Sequence, residues 1–245
     1  MQRRASLRIG TAGWSIPRAM TVSFPDTGTH LERYARVFDC VEINSSFYRS
    51  HRADTYRRWA GATPSKFRFS VKLPRSITHE AQLRGVRAPL RQFLDEVRGL
   101  GRKLGVLLVQ LPPSFAFDAR PVSRFFALLR NLHAGAAVCE PRHPTWFDGR
   151  ADRVLERYEI GRVAADPALL AAAANPAGAV KVAYFRLHGS PQMYWSRYEA
   201  QHLARWYQCL AACTAAQSVW CIFDNTAGGA ATLNALELRD LVASF

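Results

Sequence analysis

A chain of 245 residues that is 49% hydrophobic and 21% charged has enough apolar content for a sizeable core, so wholesale disorder is excluded. No apolar run approaches the ~18 residues of a membrane span. The N-terminus MQRRASLRIG also lacks a signal-peptide apolar region. A cytoplasmic location with no membrane partner is therefore the expectation.

The formal net charge is +14, with 20 Lys/Arg against 8 Asp/Glu in residues 1–103 and 13 against 11 in the remainder. The imbalance fits an electrostatic footprint for phosphates, and it fits equally a surplus of solvated arginines on helix faces. Five cysteines form no CxxC pair, and three (Cys40, Cys139, Cys221) sit in apolar, strand-like runs. An odd count without framework spacing implies reduced, mostly buried thiols.

Strand and helix signals alternate along the chain. Leu7 to Thr11 is a first strand leading into Ala12, Gly13, Trp14 and Ser15. Thr29 is placed to cap a helix carrying Leu31, Tyr34, Ala35 and Phe38 at helical spacing. Cys40 to Ile43 is the second strand. A helix over Asp54 to Ala60 follows, stopped by Thr63-Pro64. Phe67 to Val71 and Gly105 to Leu111 are the third and fourth strands, separated by an amphipathic helix from Val86 to Leu100. After Pro112-Pro113 a helix spans Pro121 to Leu132, with Pro121 suited to its first turn. Ala136 to Cys139 is the fifth strand and Asp152 to Tyr158 the next helix. Gly161 to Ala165 is a short sixth strand, with an alanine-rich helix expected after Asp166-Pro167. Val182 to Phe185 is the seventh strand, Glu199 to Cys213 a long helix, and Val219 to Phe223 the eighth strand. Gly228-Gly229 opens a last helix bearing Leu233, Leu236 and Leu241.

Eight strand–helix units in alternation, with strands that read as continuous apolar runs, predict a parallel sheet covered on both faces. Eight units in this length fit a single-domain α/β chain, a closed (β/α)8 TIM-type barrel over 1–245 with an irregular or shortened sixth unit. Neither GxGxxG nor GxxxxGK[ST] is present, which weighs against nucleotide-binding open sheets.

In such barrels the chemistry sits at the C-terminal strand ends. The tips here carry Glu42 and Asn44, Lys72, Gln110, Glu140 and Arg142, Asp166, Arg186 and His188, and Asp224 with Asn225. Residues two apart on a strand share a face, so Glu42 pairs with Asn44, Glu140 with Arg142, and Arg186 with His188. Glu42, Glu140, His188 and Lys72 form the expected catalytic set, the carboxylates as acid and base. Arg142, Arg186 and Lys72 would hold an anion. The opposing expectation is that pairs such as Glu140 with Arg186 merely neutralise one another. Trp14, Phe47, Tyr48, Trp146, Tyr194 and Trp195 are expected at the same mouth, where rings beside arginines suit a base or sugar. Paired-His and HExxH spacings are absent, so no metal ligands and no cofactor are assigned, with a divalent metal kept as an alternative. No GxSxG elbow points to a serine nucleophile.

GTAGWS, VEINSSFYR, FRFSVKLPRSITH, QLPPSF, EPRHPTWF, YFRLHG and FDNTAGGAATLNAL, in this order, resemble the YecE-like family, catalogued as domain of unknown function 72. The resemblance spans nearly the whole chain and implies a TIM-type barrel. It also carries a distant likeness to the barrel of apurinic endonucleases, which implies a nucleic-acid or phosphate ligand. Family motif positions fall on Gly13, Trp14, Asn44, Phe47, Tyr48, His79, Gln110, Pro112, His143, Gly189 and Asn225, besides the charged tips. Many members read TSGWSY where this chain has TAGWSI, and many carry an acid where Thr226 stands, leaving Asp224 as the nearest carboxylate.

Two functions follow. One is a hydrolase or lyase on a phosphorylated or nucleic-acid substrate. In it the catalytic set works beside ligand-binding Trp14, Asn44, Phe47, Tyr48, His79, Gln110, Arg142, His143, Arg186, Gly189, Asp224 and Asn225. The other is a non-catalytic binder of nucleic acid or a phosphate-containing small molecule. No partner protein is indicated.

Overall fold

A computed structural model of the chain describes residues 5–244; the expectation for the extreme N-terminus rests partly on residues 1–4, which lie outside them. Among the described residues nine of the ten strands pair in parallel, and the strands form two sheets. In the first, β1 (Ser6–Thr11) pairs with β10 (Ser218–Phe223), β10 with β9 (Val182–Leu187), and β9 with β7 (Ala164–Asp166). In the second, β2 (Cys40–Ile43), β3 (Arg68–Lys72), β4 (Leu104–Gln110), β5 (Ala136–Glu140) and β6 (Gly161–Arg162) run side by side. The antiparallel β8 (Ala177–Gly178) lies at its edge.

The sheets meet twice. Ala12 bridges Glu42 in parallel just beyond β1. On the other side β6 and β7 are separated only by Val163, so one stretch of chain pairs first with β5 and then with β9.

Among the described residues seven α-helices fill the connections: α1 (His30–Ala35), α2 (Ala53–Gly61), α3 (Arg87–Val97), α4 (Ala119–Leu132), α5 (Arg150–Arg157), α6 (Ala200–Ala211) and α7 (Ala230–Ala243). Thr29 caps α1 as expected. Its side chain accepts from the Glu32 amide while Glu32 accepts from the Thr29 amide, a reciprocal capping box. The sixth unit is irregular, and its alanine-rich helix does not form. A 3₁₀ turn over Ala171–Ala174 and the short β8 stand there instead. Pro167 and Pro176 leave too few residues between them for a stable helix, and Asn175 before Pro176 is extended.

The period of two along each strand sorts side chains into two cores. One face of the sheets meets the helices in a large apolar cluster that includes Val41, Phe69, Leu107, Phe185 and Phe223. The other face carries a smaller cluster of Cys40, Val106, Leu108, Val138, Val163, Tyr184, Trp220 and Ile222. Two residues further along the same face come Glu42 after Cys40, Gln110 after Leu108, Glu140 after Val138, Arg186 after Tyr184 and Asp224 after Ile222. An apolar layer thus underlies a polar one at the C-terminal strand ends.

Gly10 is required where the sheets approach. A Cβ there would stand 2.4 Å from the Cys40 carbonyl oxygen and 2.9 Å from its Sγ. Gly10→Ala is expected to push β1 off β2 and lower the unfolding free energy by about 1–3 kcal/mol in urea titration. In the paired control Gly61→Ala, the new methyl meets nothing within 4 Å. That change should leave stability level or raise it by about 0.4–1 kcal/mol.

Candidate functional site

Arg186 is the centre of the polar layer, only 1% exposed. Its Nε and Nη2 donate to Glu42 Oε2 and Oε1 at 3.1 and 2.7 Å, a two-point grip on one carboxylate. Nη1 donates to Glu140 Oε2 at 2.7 Å, and Nη2 also reaches Asp224 Oδ2 at 2.8 Å. Each acid comes from a different strand end, so the guanidinium joins β2, β5, β9 and β10. Beneath it the Tyr184 hydroxyl donates to Glu42 Oε2 at 2.9 Å and shares a hydrogen bond of 2.8 Å with Ser70 Oγ. Burial and the nearby Glu42 charge push the Tyr184 phenol well above its ordinary value, so it stays a donor.

His188 lies one strand-repeat further out, fully buried. Its Nδ1 faces Asp224 Oδ2 at 3.0 Å. Its Nε2 faces two groups of opposite character, Arg142 Nη2 at 2.6 Å and Glu140 Oε1 at 3.0 Å. With the proton on Nδ1 donated to Asp224, a neutral ring accepts from Arg142. A protonated ring donates to both carboxylates. The imidazole therefore has hydrogen-bond partners in either protonation state. Arg142 in turn grips Glu140 Oε1 at 2.5 Å.

Burial acts to raise the Glu140 pKa, but the guanidiniums of Arg142 and Arg186 and the His188 hydrogen bond outweigh it. They hold the carboxyl well below the usual range. Asp224 is likewise lowered: burial opposes, while Arg186 and His188 prevail.

Lys72, at the end of β3, is pulled down to about 8, by burial first and Arg186 second, against the pull of the three acids. Its Nζ lies 4.0 Å from the centroid of the Phe47 ring and makes no hydrogen bond among the described residues. His79 meets the same Phe47 ring edge-on and is lowered to about 4, by burial and then by Lys72 and Arg75.

The expected residues thus divide. Glu42, Lys72, Glu140, Arg142, Arg186, His188 and Asp224 come together. Phe47 and His79 cover Lys72, and Gln110 stands beside Glu140 in the β4–β5 register. Asn44 follows β2, and its Oδ1 is buried without a partner among the described residues, as is Arg142 Nε. Arg186, expected to hold an anion, is instead occupied by carboxylates. Asn225 bonds to Ser196 O and Asn234 Oδ1, bracing the loop after β9. Gly189 has φ +91° and donates its amide to the Tyr198 hydroxyl, shaping the same loop. His143 bonds locally to Thr145.

Among the aromatics, Tyr48, Tyr194 and Trp195 are exposed. Tyr194 meets His188 edge-on, and Trp14 packs edge-on against Trp59. Trp146 was expected at the mouth but is fully buried, its indole N–H donating to Phe115 O at 2.9 Å. Among the described residues no His, Cys, Asp and Glu cluster is arranged to hold a metal, and the Arg186 guanidinium fills the space between the acids. The five cysteines are free thiols, and Cys40, Cys139 and Cys221 are buried. No described helix is long and apolar enough to cross a membrane. A groove of about 780 Å³ lies elsewhere, along α2 and α3. Glu96 lines it, with its Oε2 buried and without a partner among the described residues, whereas the strand ends gather the larger set of buried charges.

Sequence reasoning passed over Tyr184 and Ser70. Tyr184 stands two residues before Arg186, so the period of the strand already put both on one face.

Parallel strands interleaved with helices, with a desolvated cluster of acids and bases at the strand ends, define an α/β protein whose buried charges gather at one end of its sheets. A family model described as a protein of unknown function, DUF72, matches residues 8–244, and the chain belongs to that family. It is similar to the UPF0759 protein YecE of Escherichia coli K12, at 33% identity over 152 residues. That alignment takes in 61% of this chain and 53% of YecE, so it spans about half the length of that relative. Its fold is similar to the crystal structure of a DUF72 family protein from Thermotoga maritima, with TM-score 0.81 and 23% identity over 97% of this chain and 99% of the other. A D-allulose 3-epimerase from Methylomonas sp. shares the fold more loosely, with TM-score 0.57 and 12% identity over 98% of each chain.

Removing the central cation strands three buried acids. Arg186→Met is expected to cost about 3–5 kcal/mol of stability in urea titration. The pH dependence has a defined sign. Folded Glu140 and Asp224 lie below their ordinary 4.5 and 3.8, so their stabilisation is complete above about pH 4.5 and drains as pH falls through the folded values. Glu140→Gln should show a shallower acid-side loss than the parent in urea midpoints measured across pH.

Proposed function

We propose that this protein is an acid–base enzyme, a hydrolase or lyase acting on a phosphorylated substrate at the C-terminal strand ends. This reading takes the two sheets as halves of one (β/α)8 ring in a single domain, with the Ala12–Glu42 bridge and the β6–β7 stretch as its seams. The carrying observation is that His188 has partners in both protonation states, between Asp224 on one side and Glu140 with Arg142 on the other. A group that loses and regains a proton during turnover needs that arrangement. Asp224 orients the ring, and Nε2 exchanges the proton with substrate or with Glu140. Glu42 holds Arg186 in place and stays out of the proton path. Arg142 is the cation left for a phosphate, its unpartnered Nε–H a donor to a ligand oxygen, and the unpartnered Asn44 Oδ1 would accept from a ligand hydroxyl.

The test is turnover of a panel of sugar phosphates and phosphodiester oligonucleotides, followed by mass spectrometry. His188→Ala and Glu140→Gln should each lower the turnover found in the parent by about 10²–10⁴-fold, with circular dichroism unchanged. Unaltered turnover in both folded variants overturns the assignment.

A second reading, a non-catalytic nucleic-acid binder, is favoured by the +14 charge and the exposed Tyr48, Tyr194 and Trp195 rings. It expects single-stranded oligonucleotide affinity that falls steeply with salt. It also expects a loss of about 1–3 kcal/mol in Trp195→Ala for each base unstacked. Salt-independent or absent binding overturns it.

A further inference from the structure

Lysine is scarce in this chain: Lys66, Lys72, Lys103 and Lys181 are the only four among 33 Lys/Arg. Three of them have ordinary surroundings. Lys66 is exposed, and Lys181 is exposed and paired with Glu159. Lys103 is partly buried, but its ammonium is spent on Ala60 O, Thr63 O and Thr63 Oγ1, at 2.5, 2.5 and 3.1 Å. Lys72 differs from all of them. It is 6% exposed, stands at a strand end inside the polar cluster, and its nitrogen has a ring face rather than a hydrogen-bond acceptor for company.

Arginine would serve better for phosphate binding alone, since its planar fork meets two oxygens at once and cannot lose its charge. An amine is needed where the nitrogen itself must become a nucleophile. Burying an amine beside a permanent guanidinium, with no hydrogen-bond acceptor for its protons, favours its neutral form, against the pull of the aromatic face, which attracts the ammonium. The groups around Lys72 are Arg186 from β9, Glu42 from β2, Glu140 from β5, Asp224 after β10, and His79 with Phe47 over it. The acids oppose loss of the proton, yet they stay engaged with Arg186, Arg142 and His188 and donate no hydrogen-bond acceptor to Nζ. The balance leaves Lys72 near 8.

We infer that Lys72 is a covalent nucleophile that forms an imine with the carbonyl of a phosphorylated aldehyde or ketone. In the forward step the neutral amine adds to the carbonyl carbon, and the carbonyl oxygen takes up a proton to give a carbinolamine. A second proton, supplied at His188 Nε2, lets that oxygen leave as one water while the nitrogen lone pair forms C=N. The nitrogen loses its extra proton to the same relay, so amine plus carbonyl gives imine plus water with no oxidant or reductant. Arg142 is the cation left to meet the phosphate. The inference rests on the acid–base reading above and assigns its substrate class.

The experiment uses the full chain with glycolaldehyde phosphate as probe. Borohydride reduces any imine to a stable secondary amine, and peptide mapping counts the adduct at each of the four lysines. Adduct should concentrate on Lys72, with labelling half-maximal near pH 8 rather than near 10.5. At neutral pH this corresponds to free amine on the order of a hundredfold above an ordinary lysine. Unphosphorylated glycolaldehyde should label Lys72 less, and Arg142→Ala should remove that difference. Lys72→Arg should abolish the preferred adduct and leave labelling at Lys66 and Lys181 unchanged. Adduct spread evenly over Lys66, Lys103 and Lys181, or absent from Lys72 in the folded parent, overturns the inference. Should Lys72 stay unlabelled while His188→Ala and Glu140→Gln still lose turnover, the acid–base reading survives and only its covalent step falls. Labelling at Lys72 with turnover intact in both variants has the opposite meaning.

Discussion

One desolvated guanidinium is the constraint on which the polar end of this protein depends. Arg186 takes hydrogen bonds to carboxylates from three other strand ends. Three carboxylates withdrawn from water would repel one another and pay a heavy desolvation penalty, so their convergence is tolerable only around a cation that cannot lose its proton. A lysine there could escape by deprotonating, and arginine cannot. The cluster adds little net stability over an apolar core, but it fixes where each acid points.

That fixation carries one layer out. Because Glu140 and Asp224 are anchored on Arg186, they present their remaining oxygens to His188 at fixed positions. The imidazole is then held between an acid that orients it and a second acid beside a guanidinium. The same positive centre acts on Lys72, which borders the cluster without joining it. One buried cation thus helps hold Glu140 and Asp224 below their ordinary range and, after burial, lowers Lys72.

The scaffold explains why these groups converge. On β4, β5, β9 and β10 the inner face changes from apolar to polar within one two-residue step, and the apolar layer of Tyr184, Trp220, Leu108 and Val138 closes the space beneath. Water is excluded from below, so the electrostatics above act at low dielectric. The loops contribute cover rather than charge. Gly189, Tyr198, Asn225 and Asn234 brace the segment carrying Tyr194 and Trp195.

Much of this was legible from residues alone. Apolar runs ending in charged tips located the strands, and the family resemblance was carried by those same tips. Thr29 and Glu32 announced a cap because that interaction is local, and the period of two set Glu140 with Arg142 and Arg186 with His188 on shared faces. Locality also marks the limit. An alanine-rich segment reads as helix by propensity, yet flanking prolines and a short span cancelled it. Trp146 looks like a mouth aromatic by position, but packing buried it. Which cation neutralises which acid depends on strands distant in sequence, so only the tertiary structure could set Arg186 apart as the filled centre and Lys72 as the amine left without an acceptor. The sequence by itself determined the inventory and the faces; the fold decided the partners, because pairing energy between buried charges is set by distances across strands rather than along them.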